Sequence, residues 1–221
     1  MIKSVFFDFV EGALRFIPSR VGVKLRLFYY RKRLLSCGSN VVIDTGVYFQ
    51  YPKKIALGNN VWIDKNVILL AGVPNLTRKV CIKENSFYMG EMGELQIDDF
   101  VHVAPNVVIQ AHGGVHIGAK TGIAAGSKIY SLSHHYRNLS NNDDTNNYYF
   151  TPMVSGEEQA LLLSPVVIGR GCAISLNNIV LPGTVIPDNI WFGVGMIISG
   201  GGYESDSVYF MNQSVSKKSI N

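Results

Sequence analysis

Residues 168–192 read IGRGCAISLNNIVLPGTVIPDNIWF, and the spacing inside this stretch decides the fold. An aliphatic or aromatic residue returns at every sixth position: Ile168, Ile174, Val180, Ile186 and Phe192. A period of six is neither the 3.6 of a helix nor the simple 2 of a strand. It describes short runs that each turn the same corner, with the periodic residue pointing inward. The follower is usually small, as in Ile168-Gly169, Ile174-Ser175 and Phe192-Gly193. Hexapeptide periodicity of this kind predicts a parallel β-helix, so the chain reads as all-β.

The beat recurs upstream in Leu57, Ile63 and Leu69, in Ile97, Val103 and Ile109, and in Ile117, Ile123 and Ile129. It breaks briefly at Gly113-Gly114 and at length between Ser133 and Pro165. Insertions in a solenoid leave as surface loops, often on the binding face. Three segments follow: a helical cap over 1–37, a β-helix over 38–199 with a loop insertion at 134–164, and a tail over 200–221. The stretch 73–95 is less regular and reads as a bulge or a degenerate coil. After Gly200-Gly201-Gly202 the pattern stops, which predicts a flexible end.

The 47% hydrophobic content is ample for a core, and the 16% charged content is low beside roughly 25% in an ordinary domain. Net charge is +4, but eight Lys and Arg against Asp8 and Glu11 in residues 1–40 place more than all of it there. The remainder is slightly acidic, which argues against a nucleic-acid partner. Cys37, Cys81 and Cys172 are far apart and odd in number, so they read as reduced thiols without a metal or redox motif. No apolar run reaches the ~18 residues of a membrane span. The start lacks a small-residue cleavage site, so the expected location is the cytoplasm, and Asn138-Leu-Ser140 and Asn212-Gln-Ser214 are discounted as glycosylation sites.

Phe6, Phe9, Val10, Ala13, Leu14 and Ile17 lie at helical spacing, with Pro18 and Gly22 breaking the pattern. A second helix is expected over about Val23 to Leu35, rich in Leu, Tyr and Arg. Two roles are compatible. The helices can shield an open β edge of the first coil, or lie as a basic amphipathic segment on an anionic membrane surface.

His134 and His135 stand where the last upstream run ends and the insertion begins. A histidine at the root of a long loop, beside a rigid β face, is held in place yet reaches solvent. Imidazole chemistry suits removal of a proton from a hydroxyl or amine. Paired histidines decorating a polar loop are the plainer alternative. His112 and His116 bracket Gly113-Gly114, while Tyr136, Arg137, Asp143 and Asp144 are loop residues that could face a ligand or merely solvent.

The segment from Ile123 to His134, the long loop, then Pro165 to Gly169 and Val180-Leu-Pro-Gly183, resembles the hexapeptide-repeat acyltransferases. It is most similar to their sugar O-acetyltransferase branch, which includes galactoside and maltose acetyltransferases and enzymes of bacterial surface-polysaccharide clusters. The resemblance covers roughly 38–198. It implies a left-handed parallel β-helix, a homotrimer, and acetyl-CoA in a groove between neighbouring subunits, with no metal. It further implies direct attack of a sugar or lipid-linked saccharide hydroxyl on the thioester, with His134 as general base. Asn106, in Ala104-Pro-Asn106, matches a family asparagine that touches the acceptor, where an amide can both donate and accept. His135 and Tyr136 would join it. Leu176, Val194, Gly195 and Ser199 match the residues that hold coenzyme A.

At the C-terminal end the pattern departs. The family's lysine for the coenzyme A phosphates is replaced by Ser199-Gly200-Gly201-Gly202, leaving Arg170 or the tail's Lys217 and Lys218 as substitutes. Alternatives at this stage are N-acetyl transfer to an amino-sugar nucleotide, a zinc carbonic-anhydrase-like site built from histidines, and a trimeric scaffold without activity.

Overall fold

The computed structural model describes residues 2–73, 79–211 and 213–216. Two helices, α1 (Ile2–Phe16) and α2 (Ser19–Tyr30), precede a three-faced parallel β-helix. Each complete coil places one short strand on each face. The first face stacks Ser36–Cys37, Ile55–Leu57, Leu95–Ile97, Val115–Ile117, Val166–Ile168 and Val185–Ile186. The second stacks Val42–Ile43, Trp62–Ile63, His102–Val103, Gly122–Ile123, Ala173–Ile174 and Trp191–Phe192. The third runs from Tyr48–Gln50 through Ile68–Leu70, Val108–Gln110, Lys128–Tyr130 and Ile179–Val180 to Ile197–Ile198.

The six-residue beat becomes the core. Ile63, Val103, Ile123, Ile174 and Phe192 lie in direct register on successive coils, and all are buried. Ile97, Ile117, Ile168 and Ile186 do the same on the first face. Stacking like on like fills the narrow interior evenly, and each fully buried Ile or Leu contributes about 2–3 kcal/mol. The corners need left-handed backbone. Asn66, Asn106, Gly126, Asn177 and Gly195 form one column at φ between +56° and +73°, the conformation Asn and Gly adopt at least cost.

The small follower has a separate cause. A Cβ on Gly118 would stand 2.6 Å from the carbonyl carbon of Gly169 and 2.7 Å from the Arg170 nitrogen, backbone atoms of the next coil. Asp98 occupies the equivalent place one coil earlier with a Cβ, so the spacing can yield, at a cost. Gly118→Val is therefore expected to destabilise by about 3 kcal/mol through overpacking. That lowers Tm by roughly 6–12 °C, read by thermal unfolding.

Two expectations are corrected, and of the two readings of residues 73–95 the structure shows the bulge. The second helix runs Ser19–Tyr30, not Val23 to Leu35, and Gly22 sits inside it rather than breaking it. The C-terminal segment does not simply fray: Ser207–Phe210 adds a parallel rung to the second face on Trp191–Phe192, and Gln213–Ser216 pairs back on it antiparallel. The irregular stretch contains Lys79–Ile82, which leaves the β-helix to join the loop insertion. Lys217, Lys218 and Asn212 lie outside the described residues.

Candidate functional site

The long insertion and the irregular stretch before Leu95 contribute to one structure. After Tyr130 the chain does not turn onto the first face. Leu132–His135 continues outward and pairs antiparallel with Ala160–Leu163, His134 opposite Leu161. Ala160–Leu163 then pairs in parallel with Lys79–Ile82, so a three-stranded sheet stands on the corner between the third and first faces. Its root is fixed by short-range polar contacts. The Ser131 hydroxyl donates to Gln110 O at 2.7 Å and accepts from Gly113 N at 2.9 Å. Ser164 N donates to Ser131 O at 3.0 Å, and the Ser164 hydroxyl donates to Lys83 O at 3.0 Å.

His134 is half-buried on this sheet, with its Nδ1 inside. Its ring packs at 5.0 Å from that of Phe150, an exposed residue far along the loop. No local sequence signal pointed to Phe150. His135 is differently placed: its Nδ1 accepts from Arg137 N at 3.1 Å and its ring stacks on Tyr136 at 4.8 Å. His135 and Tyr136 line a loop cleft of about 350 Å³ with Asn138, Asn141 and Asp144. His134 is not among its lining residues. The Arg137 guanidinium binds the carbonyls of Thr145 and Asn146 and so serves the loop itself.

Asp144 organises that loop. Its carboxylate accepts from the Tyr148 hydroxyl at 2.5 Å, from Asn138 Nδ2 at 2.9 Å and from Asn146 N at 3.1 Å. These bonds, the one from Tyr148 first, hold its pKa down to about 2. A depressed carboxylate contributes order that is complete above its unfolded pKa of about 3.9 and is lost as pH falls through the folded value. The loop contact is therefore intact from mildly acid to alkaline pH. Asp144→Asn is expected to speed chymotryptic cleavage at Tyr148, Tyr149 or Phe150 severalfold at pH 8, read by limited proteolysis.

The remaining expected site residues fall at both edges of the third face. Asn106 is exposed and occupies the left-handed corner at φ +61°, between the second and third faces. Leu176 and Val194, both exposed, stand one coil apart near the same edge, and Gly195 N donates to Leu176 O at 2.9 Å. Ser199 lies at the opposite edge, where its N and O both meet the Tyr203 hydroxyl at 3.2 and 3.0 Å. His134 also leaves from that opposite edge. A face five residues across is roughly 15 Å wide, so one chain does not bring Asn106 or Leu176 to His134.

The other histidines divide. His112 shares the corner with the excursion, its Nδ1 2.7 Å from Gly72 O. His116 lies on the first face with Nε2 3.1 Å from Asp98. It lines a larger cleft of about 670 Å³ with Phe87, Val167, Arg170, Val185 and Asp188. Among the described residues no group of three or more His, Cys, Asp or Glu could hold a metal ion.

No protein-family model matches the chain. Over 164 residues it is 26% identical to a dTDP-4-amino-4,6-dideoxy-D-glucose acyltransferase of Escherichia coli, covering 74% of this chain and 71% of that protein. Over 129 residues it is 29% identical to WbbJ of Escherichia coli K12, named for lipopolysaccharide biosynthesis O-acetyl transfer. That match covers 57% of this chain and 60% of the relative, less than two thirds of its length. Among solved structures, AntD from Bacillus cereus, an N-acyltransferase in complex with dTDP and 3-hydroxybutyryl-CoA, superposes with a TM-score of 0.64 at 18% identity, covering 88% of this chain and 90% of its own. A maltose O-acetyltransferase from Clostridium difficile gives 0.50 at 15% identity, covering 95% and 82%. These likenesses bear out the left-handed parallel β-helix and the resemblance to hexapeptide-repeat acyltransferases read from the sequence: the curated relatives and the solved neighbours that the chain is similar to are acyltransferases.

Proposed function

We propose that the protein transfers an acetyl group from acetyl-CoA to a sugar hydroxyl of a bacterial surface polysaccharide or its precursor, on the cytoplasmic side. The observation that carries this is His134, held on a strand at the root of the excursion and packed on Phe150. With Nδ1 inside, Nε2 is the nitrogen that meets the acceptor. It takes the hydroxyl proton as the sugar oxygen attacks the thioester carbonyl. The C–S bond then breaks, and the same proton passes to the departing thiolate. A hydroxyl titrates far above neutral pH and needs such a base, whereas a neutral amine already carries a free lone pair.

The exposed side chains of Leu176 and Val194, with Gly195 between coils, suit the apolar and amide groups of pantetheine. Because these residues and Asn106 occupy the edge opposite His134, a working site takes the two edges from neighbouring copies, in keeping with the homotrimer implied by the resemblance. Arg170, the one Lys or Arg between residues 165 and 211, lines a cleft with Gly201 and Gly202 and is the described cation we assign to the coenzyme phosphates. Holding both substrates together supplies the entropic part of the acceleration.

N-acylation of a 4-amino sugar nucleotide is the second reading, favoured by the amino-sugar acyltransferase of Escherichia coli and by AntD. The deciding experiment follows thiol release from acetyl-CoA with neutral sugar acceptors and with dTDP-4-amino sugars, then treats the product with hydroxylamine. An ester is cleaved and an amide is not. A hydroxylamine-resistant product, formed only with amino sugars, overturns the O-transfer reading. Absence of thiol release with every acceptor returns the protein to a scaffold.

A further inference from the structure

The helical segment presents an apolar surface that the fold itself does not use. On α1, Phe9, Gly12, Ala13 and Phe16 are all exposed and recur at i, i+3, i+4 and i+7, which is a single stripe along the helix. Phe9 is 74% exposed and Phe16 is 64% exposed, while Val10, Leu14 and Ile17 turn inward and are partly covered. On α2 the same design repeats. Val21, Leu25 and Phe28 recur at i, i+4 and i+7 and are exposed, whereas Gly22, Arg26 and Tyr30 are buried against the first coil.

Cations accompany the stripe. Arg20, Lys24, Arg31 and Lys32 are exposed on or just beyond α2, and Lys32 Nζ lies 4.9 Å over the Phe28 ring. The nearby acid Glu11 is engaged by Arg33 at 3.1 Å and does not offset them. The rest of the chain is slightly acidic, so the positive charge is concentrated on this one segment. No helix among the described residues is long and apolar enough to cross a membrane. Aromatic rings flanked by Lys and Arg on short helices are the pattern of a segment that lies in the headgroup layer rather than spanning it.

We propose that α1 and α2 dock the protein on an anionic lipid surface, with Phe9, Phe16 and Phe28 inserted among the acyl chains and Lys24 and Lys32 at the headgroups. This is independent of the acyl-transfer reading, because it concerns neither His134 nor any residue of the third face. It would set the enzyme body at a fixed height above lipid-borne acceptors.

The test is co-sedimentation of the full chain with vesicles of phosphatidylcholine and phosphatidylglycerol at equal parts, against phosphatidylcholine alone. Binding is expected to the mixed vesicles, to fall at least tenfold without the anionic lipid, and to weaken severalfold in 0.5 M NaCl as charge is screened. Phe9→Ser with Phe16→Ser is expected to lower binding at least tenfold with oligomeric mass and Tm unchanged. Lys24→Glu with Lys32→Glu, exposed charges that the fold does not need, should do the same at low salt. Equal binding to neutral vesicles, no binding at all, or full binding by the charge variant overturns the proposal. So does a change in oligomeric mass in the phenylalanine variant, which would assign the stripe to a second copy of this chain.

Discussion

His134→Ala is expected to lower kcat for acetyl transfer by about 10²–10⁴-fold, the usual contribution of a positioned general base. That corresponds to about 3–5 kcal/mol of transition-state stabilisation. The KM for acetyl-CoA should move little, because Leu176, Val194 and Gly195 stand at the other edge of the third face. The loss is chemical, not structural: His134 lies on an outlying sheet, half-buried, and its packing partner Phe150 is itself exposed. Tm should therefore stay within a few degrees of the parent. His135→Ala is the internal control. Its ring is engaged with the Arg137 backbone and Tyr136, so a severalfold effect through loop order is expected, far short of the His134 loss. Initial rates of thiol release for the three proteins make the comparison. A His134→Ala variant retaining more than a tenth of parental kcat would remove it from the role of base.

Much of the β-helix was legible because its determinants are local. Ile117, Ile123 and Ile129 announce three faces by spacing alone. Even the small follower has its counterpart in the distance from Gly118 to the backbone of the next coil. Elements whose existence depends on distant pairing were not legible. Lys79–Ile82 is a strand because Ala160–Leu163 lies beside it, and nothing within either segment names the other. Ser207–Phe210 becomes a rung because Gly193 N donates to Tyr209 O at 2.7 Å across a glycine-rich link that carries no beat.

The candidate site divides along the same line. His134 is singled out by the break in the repeat, a one-dimensional signal. Phe150 was not, since it reaches His134 only through the course of the loop. Asn106 shows the limit of motif matching: its amide suits a sugar, yet its backbone angle alone is sufficient reason for an asparagine there.

An expected effect on stability as large as that of Gly118→Val lies at Arg26, which sequence patterning treats as one more surface cation. Its side chain is fully buried. Nε donates to Ile43 O at 3.0 Å, and Nη1 donates to Leu14 O at 3.0 Å and Ile17 O at 2.8 Å. Ile43 belongs to the first strand of the second face, whose outer edge has no preceding coil to satisfy its carbonyl. Leu14 lies in the last turn of α1 and Ile17 just beyond it, where carbonyls run out of helical partners and Leu14 O otherwise receives a long 3.4 Å bond from Ile17 N. One planar guanidinium thus answers two chain-end problems and ties both helices to the β-helix. Burial pushes its pKa down from the ordinary value, opposed by Asp44, but an arginine so placed remains charged at neutral pH. Arg26→Met keeps the stem and removes every donor. With three carbonyls losing a charged donor, a loss of about 3 kcal/mol is expected, or a Tm lower by roughly 6–12 °C. Arg26→Lys should recover only part, because a point charge cannot reach three acceptors in the guanidinium's plane. Thermal unfolding and limited proteolysis between α1 and α2 measure both variants. Uncovering the strand edge should also raise the rate of aggregation on heating. Arg26→Met melting within 2 °C of the parent would show that water satisfies those carbonyls equally well, and that the helices are held by Tyr30 packed on Phe49 at 4.4 Å instead.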